Sequence, residues 1–336
     1  MNKRTSIKDI ARAARVSYST VSRALRNSEL VNPETRARVA RWAEKLDYSA
    51  NSIARGLVTR QTRTVGLVVT TIADPFLGEV VDGIENVALD QGYSLLLSNG
   101  HSDPERELAI IRQLQERRVD GIVVIATRMA RLHMERLQRL QVPIVLINNL
   151  NPLEPSQQIC SVSIDNALSS RAAVEHLVSL GHRSIGFISD EVGDQSNRDR
   201  RGGYVAALEA AGLEPDKGST ARADGTAAGG AQAVERLVAG RARFTALFCY
   251  NDMTAVGAMK TLRHAGIEIP RDVSVVGFDD IQLSSYLDLT TVRQPKFEMG
   301  RRAMEMMLNL IGGGTVVSSV TLPGELVVRG STAPPA

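Results

Sequence analysis

Apolar residues in the first fifty positions recur at helical spacing. Ile7, Ile10, Ala11 and Ala14 fall at i, i+3, i+4 and i+7, which makes one face of a short helix. Thr5 or Ser6 can cap its start, and Asp9 in the first turn suits the helix dipole. The pattern breaks at Arg15–Val16, and Ser17 is placed to cap a second helix with Val21, Ala24 and Leu25 inside. At about 100° per residue, Ser19, Arg23 and Arg26 then point outward, with Tyr18 and Ser22 at the flanks. The stretch "VNPETRARVARWAEKLDY" predicts a third helix, with Asn32 as cap and Pro33 at the first helical position. Three short helices, the first two joined by a tight turn, make a helix-turn-helix unit.

From Val65 the period changes. Short apolar runs ("VGLVVT", "SLLLSN", "GIVVIA", "PIVLIN", "SIGFIS", "ALFCYND", "VSVVGFDD") alternate with amphipathic stretches such as "PFLGEVVDGIENVALDQG" and "NALSSRAAVEHLVSLG". Strand–helix alternation predicts parallel sheets covered by helices. The runs are too many for one sheet, and a break near Cys160–Asp165 predicts two similar lobes. Each run ends in Asp, Asn, Thr or Ser, or, for "GIVVIA", is followed by Thr127, and the carboxyl ends of parallel strands are where such sheets hold ligands.

Charge sharpens this division. Residues 1–63 carry 14 Lys and Arg against 5 Asp and Glu, whereas the remainder carries 26 against 32. A basic module ahead of a mildly acidic body points to a polyanionic partner. The second helix fits that partner. Small hydroxyl residues allow close approach in a major groove roughly 12 Å wide, and an arginine can fork onto a guanine. A solvated helical bundle with a serine-rich surface is the plainer alternative.

No apolar run approaches the roughly 18 residues of a membrane span, and no apolar segment follows the basic start "MNKRTSIKDIARAARV". The expectation is a cytoplasmic chain with no membrane partner. Cys160 and Cys249 have no CxxC partner and read as reduced, buried thiols. There is no P-loop, no GxGxxG after a strand, no HExxH and no GxSxG, and no two of the five histidines have metal-ligand spacing. Neither a cofactor, a metal nor an enzymatic role is expected.

The segment "SIKDIARAARVSYSTVSRALRNSELVNPETRARV" resembles the DNA-binding head of the LacI/GalR transcription-factor family. It carries the pattern T/S-I-x-D-[IV]-A, then V-S-x-x-T-V-S-R and V-x-x-x-T-R. The resemblance implies base reading by Tyr18, Ser19 and Arg23 and phosphate positioning by Ser17 and Ser22. In "YSANSIARGLVTRQTR" Asn51 or Ser49 can cap a short helix that carries Arg55 and ends near Leu57, with a plain linker as the alternative; the resemblance implies a hinge helix that enters the minor groove, with Leu57 wedged between base pairs of a kinked duplex. Arg15 departs from the Gly or Asn common at its turn, and Val58 from a polar or basic residue.

The same resemblance extends over nearly the whole chain. It implies an all-α helix-turn-helix head followed by a two-lobed α/β body like the periplasmic sugar-binding proteins. Crossovers are expected near Val162, Thr291 and Leu322. The expected domains are a head at 1–48, a hinge and linker at 49–63, an N-lobe at 64–161 with 292–322, and a C-lobe at 162–291 with 323–336. Effector candidates follow the strands: Asp74 and Phe76 in "IADPF", Asn148 after the fourth run, and Asn251 after "ALFCY". Arg200 in "RDRRGGY" and Asp279 after "VVGF" match effector positions of the family. Asp74 and Asn251 have a second reading as helix caps. The stretch "ADGTAAGG" lacks the stacking ring often found there in the family, so either the pocket is wider or Tyr250 or Tyr286 supplies the ring. Mixed Asp, Asn and one Arg with a ring favours a polyhydroxylated neutral effector, a sugar, over a purine. The resemblance further implies a homodimer, with no leucine heptad after the body, reading a near-palindromic double-stranded operator. A sugar receptor without DNA function and a sugar-metabolising enzyme are the competing readings.

Overall fold

The computed structural model describes residues 5–25, 28–48, 61–101, 103–125, 135–148, 159–191, 195–314 and 319–336. The chain forms two compact units, Met1–Thr62 and Arg63–Ala336. The hinge candidates Asn51, Arg55 and Leu57 lie outside the described residues.

The first unit contains helices α1 (Ile7–Ala14), α2 (Tyr18–Ala24) and α3 (Pro33–Lys45) around Ile10, Ala14, Val21, Ala24, Val31 and Val39. At the start of α1 the Asp9 carboxylate accepts from the Ser6 N–H at 3.0 Å and the Ser6 hydroxyl at 2.6 Å. The helix stops because Arg15 turns left-handed, at φ 53° and ψ 47°, so that the Val16 N–H reaches back to the Ala11 carbonyl at 3.0 Å. That conformation costs a non-glycine residue about 1 kcal/mol. Ser17 caps α2 by accepting from the Thr20 N–H at 3.1 Å, and Asn32 caps α3 by accepting from the Thr35 N–H at 2.7 Å.

In the second unit strands and helices alternate: β1 (Thr64–Val69), α4 (Leu77–Asp90), β2 (Ser94–Asn99), α5 (Pro104–Glu116), β3 (Gly121–Ile125), β4 (Ile144–Ile147) and β5 (Ile159–Ile164). There follow α6 (Asn166–Ser179), β6 (Ile185–Asp190), α7 (Gln195–Ala210), β7 (Thr220–Ala223), α8 (Ala227–Ala239), β8 (Ala246–Cys249), α9 (Asp252–His264) and β9 (Ser274–Asp279). The chain ends with α10 (Gln282–Tyr286), β10 (Thr290–Arg293), α11 (Lys296–Ile311), β11 (Ser319–Leu322) and β12 (Glu325–Val327). One sheet has the order β11-β5-β4-β3-β1-β2 and the other β12-β10-β9-β8-β6-β7. The first is parallel throughout; in the second, β12 runs antiparallel to β10. Its direction follows from the path. β10 runs toward the junction of the lobes and leaves the second sheet there, whereas β12 enters from the same junction.

The chain crosses between sheets three times: after Ile164, after Arg293 and after Leu322. The boundaries expected at 161/162 and 291/292 cut through β5 and β10. A strand stays with its sheet for its whole paired length: Val162 pairs Ile147, Ile164 pairs Leu322, and Arg293 pairs Asp279. The first crossing therefore falls three residues later than expected and the second two. Cys160 and Cys249 are free and buried.

After the second crossing α11 packs on α4 with backbone against backbone. A Cβ at Gly83 would lie 2.1 Å from the Phe297 carbonyl oxygen, and one at Gly300 would lie 2.0 Å from that of Val80. On an open helix face, Gly→Ala stabilises by up to about 1 kcal/mol. Here the sign should reverse. Gly300→Ala is expected to cost about 1–3 kcal/mol by overpacking, read from the urea midpoint; a stabilised variant would mean that the helices do not approach this closely.

Candidate ligand cavity and nucleic-acid interface

The two sheets turn their strand ends toward one cavity of about 530 Å³, mouth included. All six residues expected from the sequence line it: Asp74, Phe76, Asn148, Arg200, Asn251 and Asp279. Among the described residues, Thr70, Ser196, Tyr250 and Gln294 also line it. Of the two tyrosines considered for a ring, Tyr250 is at the cavity, while Tyr286 on α10 is 76% exposed and is not among the lining residues.

Arg200 anchors the wall. It is buried on α7, where its Nε donates to Asn166 Oδ1 at 2.9 Å and its Nη1 to the Tyr250 carbonyl at 2.6 Å. The guanidinium carbon lies 3.7 Å from the Phe278 ring centroid and 4.7 Å from that of Tyr250, close enough for cation–π attraction. Asp279 ends β9, with one carboxylate oxygen 3.9 Å from Arg200 Nη1 and accepting from Gln294 Nε2 at 2.6 Å. Burial pushes the Asp279 carboxyl up to about 8 against the opposing pull of Arg200, and the charges of Asp252 and Asp74 add to the rise. Near neutral pH this carboxyl is mostly protonated, so it can donate a hydrogen bond as well as accept one.

Gln294 connects this corner to the other lobe. Its Oε1 accepts from Asn148 Nδ2 at 3.0 Å while its amide nitrogen serves Asp279. Asn148 follows β4 in a left-handed conformation, φ 57°, and its carbonyl accepts from the Ser196 hydroxyl on α7 at 3.0 Å. Its Oδ1 is buried and has no hydrogen-bond partner, an acceptor left open at the wall of a cavity. Ser196 stands one helical turn before Arg200, a spacing that puts both on one face. Gln294 carried no comparable signal, because nothing in "VRQP" marks it as facing a ligand. Asn251 meets its capping expectation: Oδ1 accepts from the Thr254 N–H at 2.8 Å, and Nδ2 donates to the Gly225 carbonyl at 2.9 Å. Asp74 likewise accepts from the Phe76 N–H at 3.0 Å, which sets the loop leading into α4.

In the head, Tyr18, Ser19 and Arg23 are exposed on α2, Tyr18 at 66%, and Ser22 is half-buried. No acidic residue lies in the first turn of α2, and Arg23 lies in the last. The Ser17 hydroxyl is engaged in the cap and lies 2.8 Å from both the Ser19 and Thr20 hydroxyls. A row of small hydroxyls beside one arginine can meet phosphates and base edges without repulsion.

Residues 6–51 match the model of bacterial regulatory proteins of the lacI family, and residues 174–332 match the periplasmic binding protein-like domain. Over 331 residues the chain is 34% identical to catabolite control protein A of Priestia megaterium, spanning 97% of this chain and 99% of that protein. The chain belongs to the LacI family. The HTH-type transcriptional regulator GalR of Escherichia coli K12 is 36% identical over 307 residues, 91% of this chain and 89% of that protein. The structure of this LacI-family protein resembles the lac repressor dimer bound to operator and the anti-inducer ONPF, with a TM-score of 0.89, 27% identity and coverage of 98% and 100%. It also resembles the CelR–cellobiose complex, with a TM-score of 0.74, 31% identity and the same coverage. The protein is a DNA-binding transcriptional regulator with a ligand-binding domain. Among the described residues no helix is long and apolar enough to cross a membrane.

The Asp279 carboxyl gives the body a pH signature. Its folded form keeps its proton up to about pH 8, whereas an unfolded aspartate loses it near about 4. Its stabilising contribution is therefore full at acid pH and lost as pH rises through about 8. Asp279→Asn stays neutral throughout. The stability difference between variant and wild type should move in the variant's favour from about pH 5 to about pH 8 and then level off. Urea unfolding across that range reads it, and a pH-independent difference would contradict the assignment.

Proposed function

We propose that the cavity takes a neutral polyhydroxylated effector, a sugar, and that its occupancy sets how tightly a dimer holds a near-palindromic operator. The observation that carries this reading is the lining itself. It combines a carboxyl held protonated by burial, a buried arginine already tied to protein acceptors, an open amide oxygen on Asn148 and the rings of Phe76 and Tyr250. Hydroxyl groups both donate and accept, so they satisfy such a set without bringing in a charge. The similar CelR structure holds cellobiose, and the similar lac repressor structure is a dimer on its operator. In this reading Arg200, Asp279, Asn148, Asp74 and Phe76 hold the effector, and Asn251 shapes its side of the wall.

At the other end of the protein, Tyr18, Ser19 and Arg23 read bases while Ser17 and Ser22 meet phosphates. Asn51, Arg55 and Leu57 belong to the hinge that inserts in the minor groove. The protein acts in the cytoplasm and binds rather than turns over its ligand. Effector occupancy closes or rotates the lobes, alters the spacing of the two heads, and so changes operator affinity.

A thermal-shift panel of monosaccharides, disaccharides, purine bases and nucleosides tests the chemistry. A shift of several degrees with a sugar is the expected result; a shift with a purine and with none of the sugars would overturn it. Arg200→Ala should abolish the sugar shift while duplex binding is retained, and a shift of wild-type size would remove Arg200 from the contact set. Arg23→Ala should relax preference at one base position of a selected duplex, at a cost of about 1–3 kcal/mol. Competition binding against single-base variants reads this, and unchanged selectivity would exclude Arg23 as a base reader.

A further inference from the structure

Lys296 occupies the first position of α11, just past the second crossing, with 2% of its side chain exposed. Its ammonium donates to the carbonyl oxygens of Asp279 at 2.9 Å and Asp280 at 2.7 Å, and it lies 3.2 Å from Glu79 Oε1. An ammonium has three protons, so these acceptors match its capacity. A cation this deeply buried persists only with such a complement.

The two carbonyls belong to an unusual turn. Asp279 and Asp280 are consecutive non-glycine residues with φ of 121° and 51°. Neither keeps such a conformation unless its surroundings impose it. Asp252 supports the segment just beyond, accepting from the Ile281 N–H at 3.0 Å and the Ser284 hydroxyl at 2.6 Å. Arg329 and Arg293 hold the Asp280 carboxylate at 2.6 and 2.8 Å. The Gln294 N–H reaches the Asp279 carbonyl at 3.5 Å and Thr291 Oγ1 accepts from the Asp280 N–H at 3.4 Å; Lys296 adds a charged donor to both backbone oxygens.

The third partner, Glu79, lies with Lys296 in the first lobe, across from the turn. Glu79 is in the first turn of α4, and the residue that opens that helix, Phe76, lines the cavity. Glu79 is more than half exposed, so its pair with Lys296 is the weaker contact and lies within the first lobe; the two carbonyl bonds are the ones that join the lobes.

We propose that Lys296 is a positioning residue of the effector cavity: it holds the Asp279–Asp280 turn in the conformation that presents Asp279, and through Glu79 it ties that turn to α4. The idea rests on the reading of the cavity as the effector site, but its first test needs no effector. In the free full-length protein, hydrogen–deuterium exchange is measured for peptides spanning 279–284 and 77–82, with β3 and β8 as controls. Lys296→Met should raise exchange about tenfold or more in both test segments and leave the controls unchanged. Glu79→Gln should raise it at 77–82 alone, and Lys296→Arg, which keeps the cation, should restore protection at 279–284. A uniform rise that includes β3 and β8, or unchanged exchange at 279–284 in Lys296→Met, overturns the proposal. If D-galactose or cellobiose stabilises the wild type, Lys296→Met should weaken its binding at least tenfold, and undiminished affinity also overturns it. If neither compound binds the wild type, the sugar reading loses support while the exchange result still decides the role of Lys296.

Discussion

A guanidinium taken out of water at the meeting of two sheets is the constraint on which the body is organised. Burying the Arg200 charge without partners would cost roughly several kcal/mol, a large share of a domain's net stability. Its surroundings therefore come as a set: the Asn166 amide oxygen, the Tyr250 carbonyl, the Phe278 ring face and the Asp279 carboxyl. These groups come from different elements of the second lobe. Gln294 carries the set into the first lobe by bonding Asp279 and Asn148 together. The cavity is what remains where this polar assembly meets Phe76, Thr70 and Asp74 from the first lobe.

Much of this was legible in the chain because parallel strands impose a simple rule. When apolar runs end in polar residues, those residues gather at one edge of each sheet, so Asp74, Asn148, Asn251 and Asp279 could be named without coordinates. Arg200 needed the family resemblance, because a helical arginine carries no periodic mark of burial. Gln294 and Lys296 carry no mark in the sequence because their roles arise from a crossing between sheets, and linear patterning does not encode which strand end a crossing passes. The same blindness placed two lobe boundaries inside β5 and β10. It also gave no warning that β12 runs antiparallel to β10, since direction there follows from the side on which the chain re-enters.

In the head, local chemistry decided more. Ser17 and Asn32 cap helices as their types predict, and the turn between α1 and α2 is left-handed as its geometry demands, although it holds Arg15 rather than glycine. That strain is tolerable because the Val16–Ala11 hydrogen bond and a shared apolar core hold the helices. In the proposed reading, a head with so few base-reading side chains gains useful affinity only in pairs, where the second contact becomes intramolecular. Pairing makes affinity depend on spacing, and spacing is what a two-lobed body can alter. The proposed mechanism is thus a coupling free energy between cavity and duplex, which must act equally in both directions.

That reciprocity offers the most direct measurement. A duplex selected from a random pool by the full-length protein is titrated by fluorescence anisotropy with and without the sugar identified by thermal shift. Sugar affinity is then measured by calorimetry with and without the duplex. The account predicts that the two affinities change by the same factor, several-fold or more, and that Arg200→Ala abolishes both changes while duplex binding remains. Duplex affinity that stays constant as the cavity fills would contradict it.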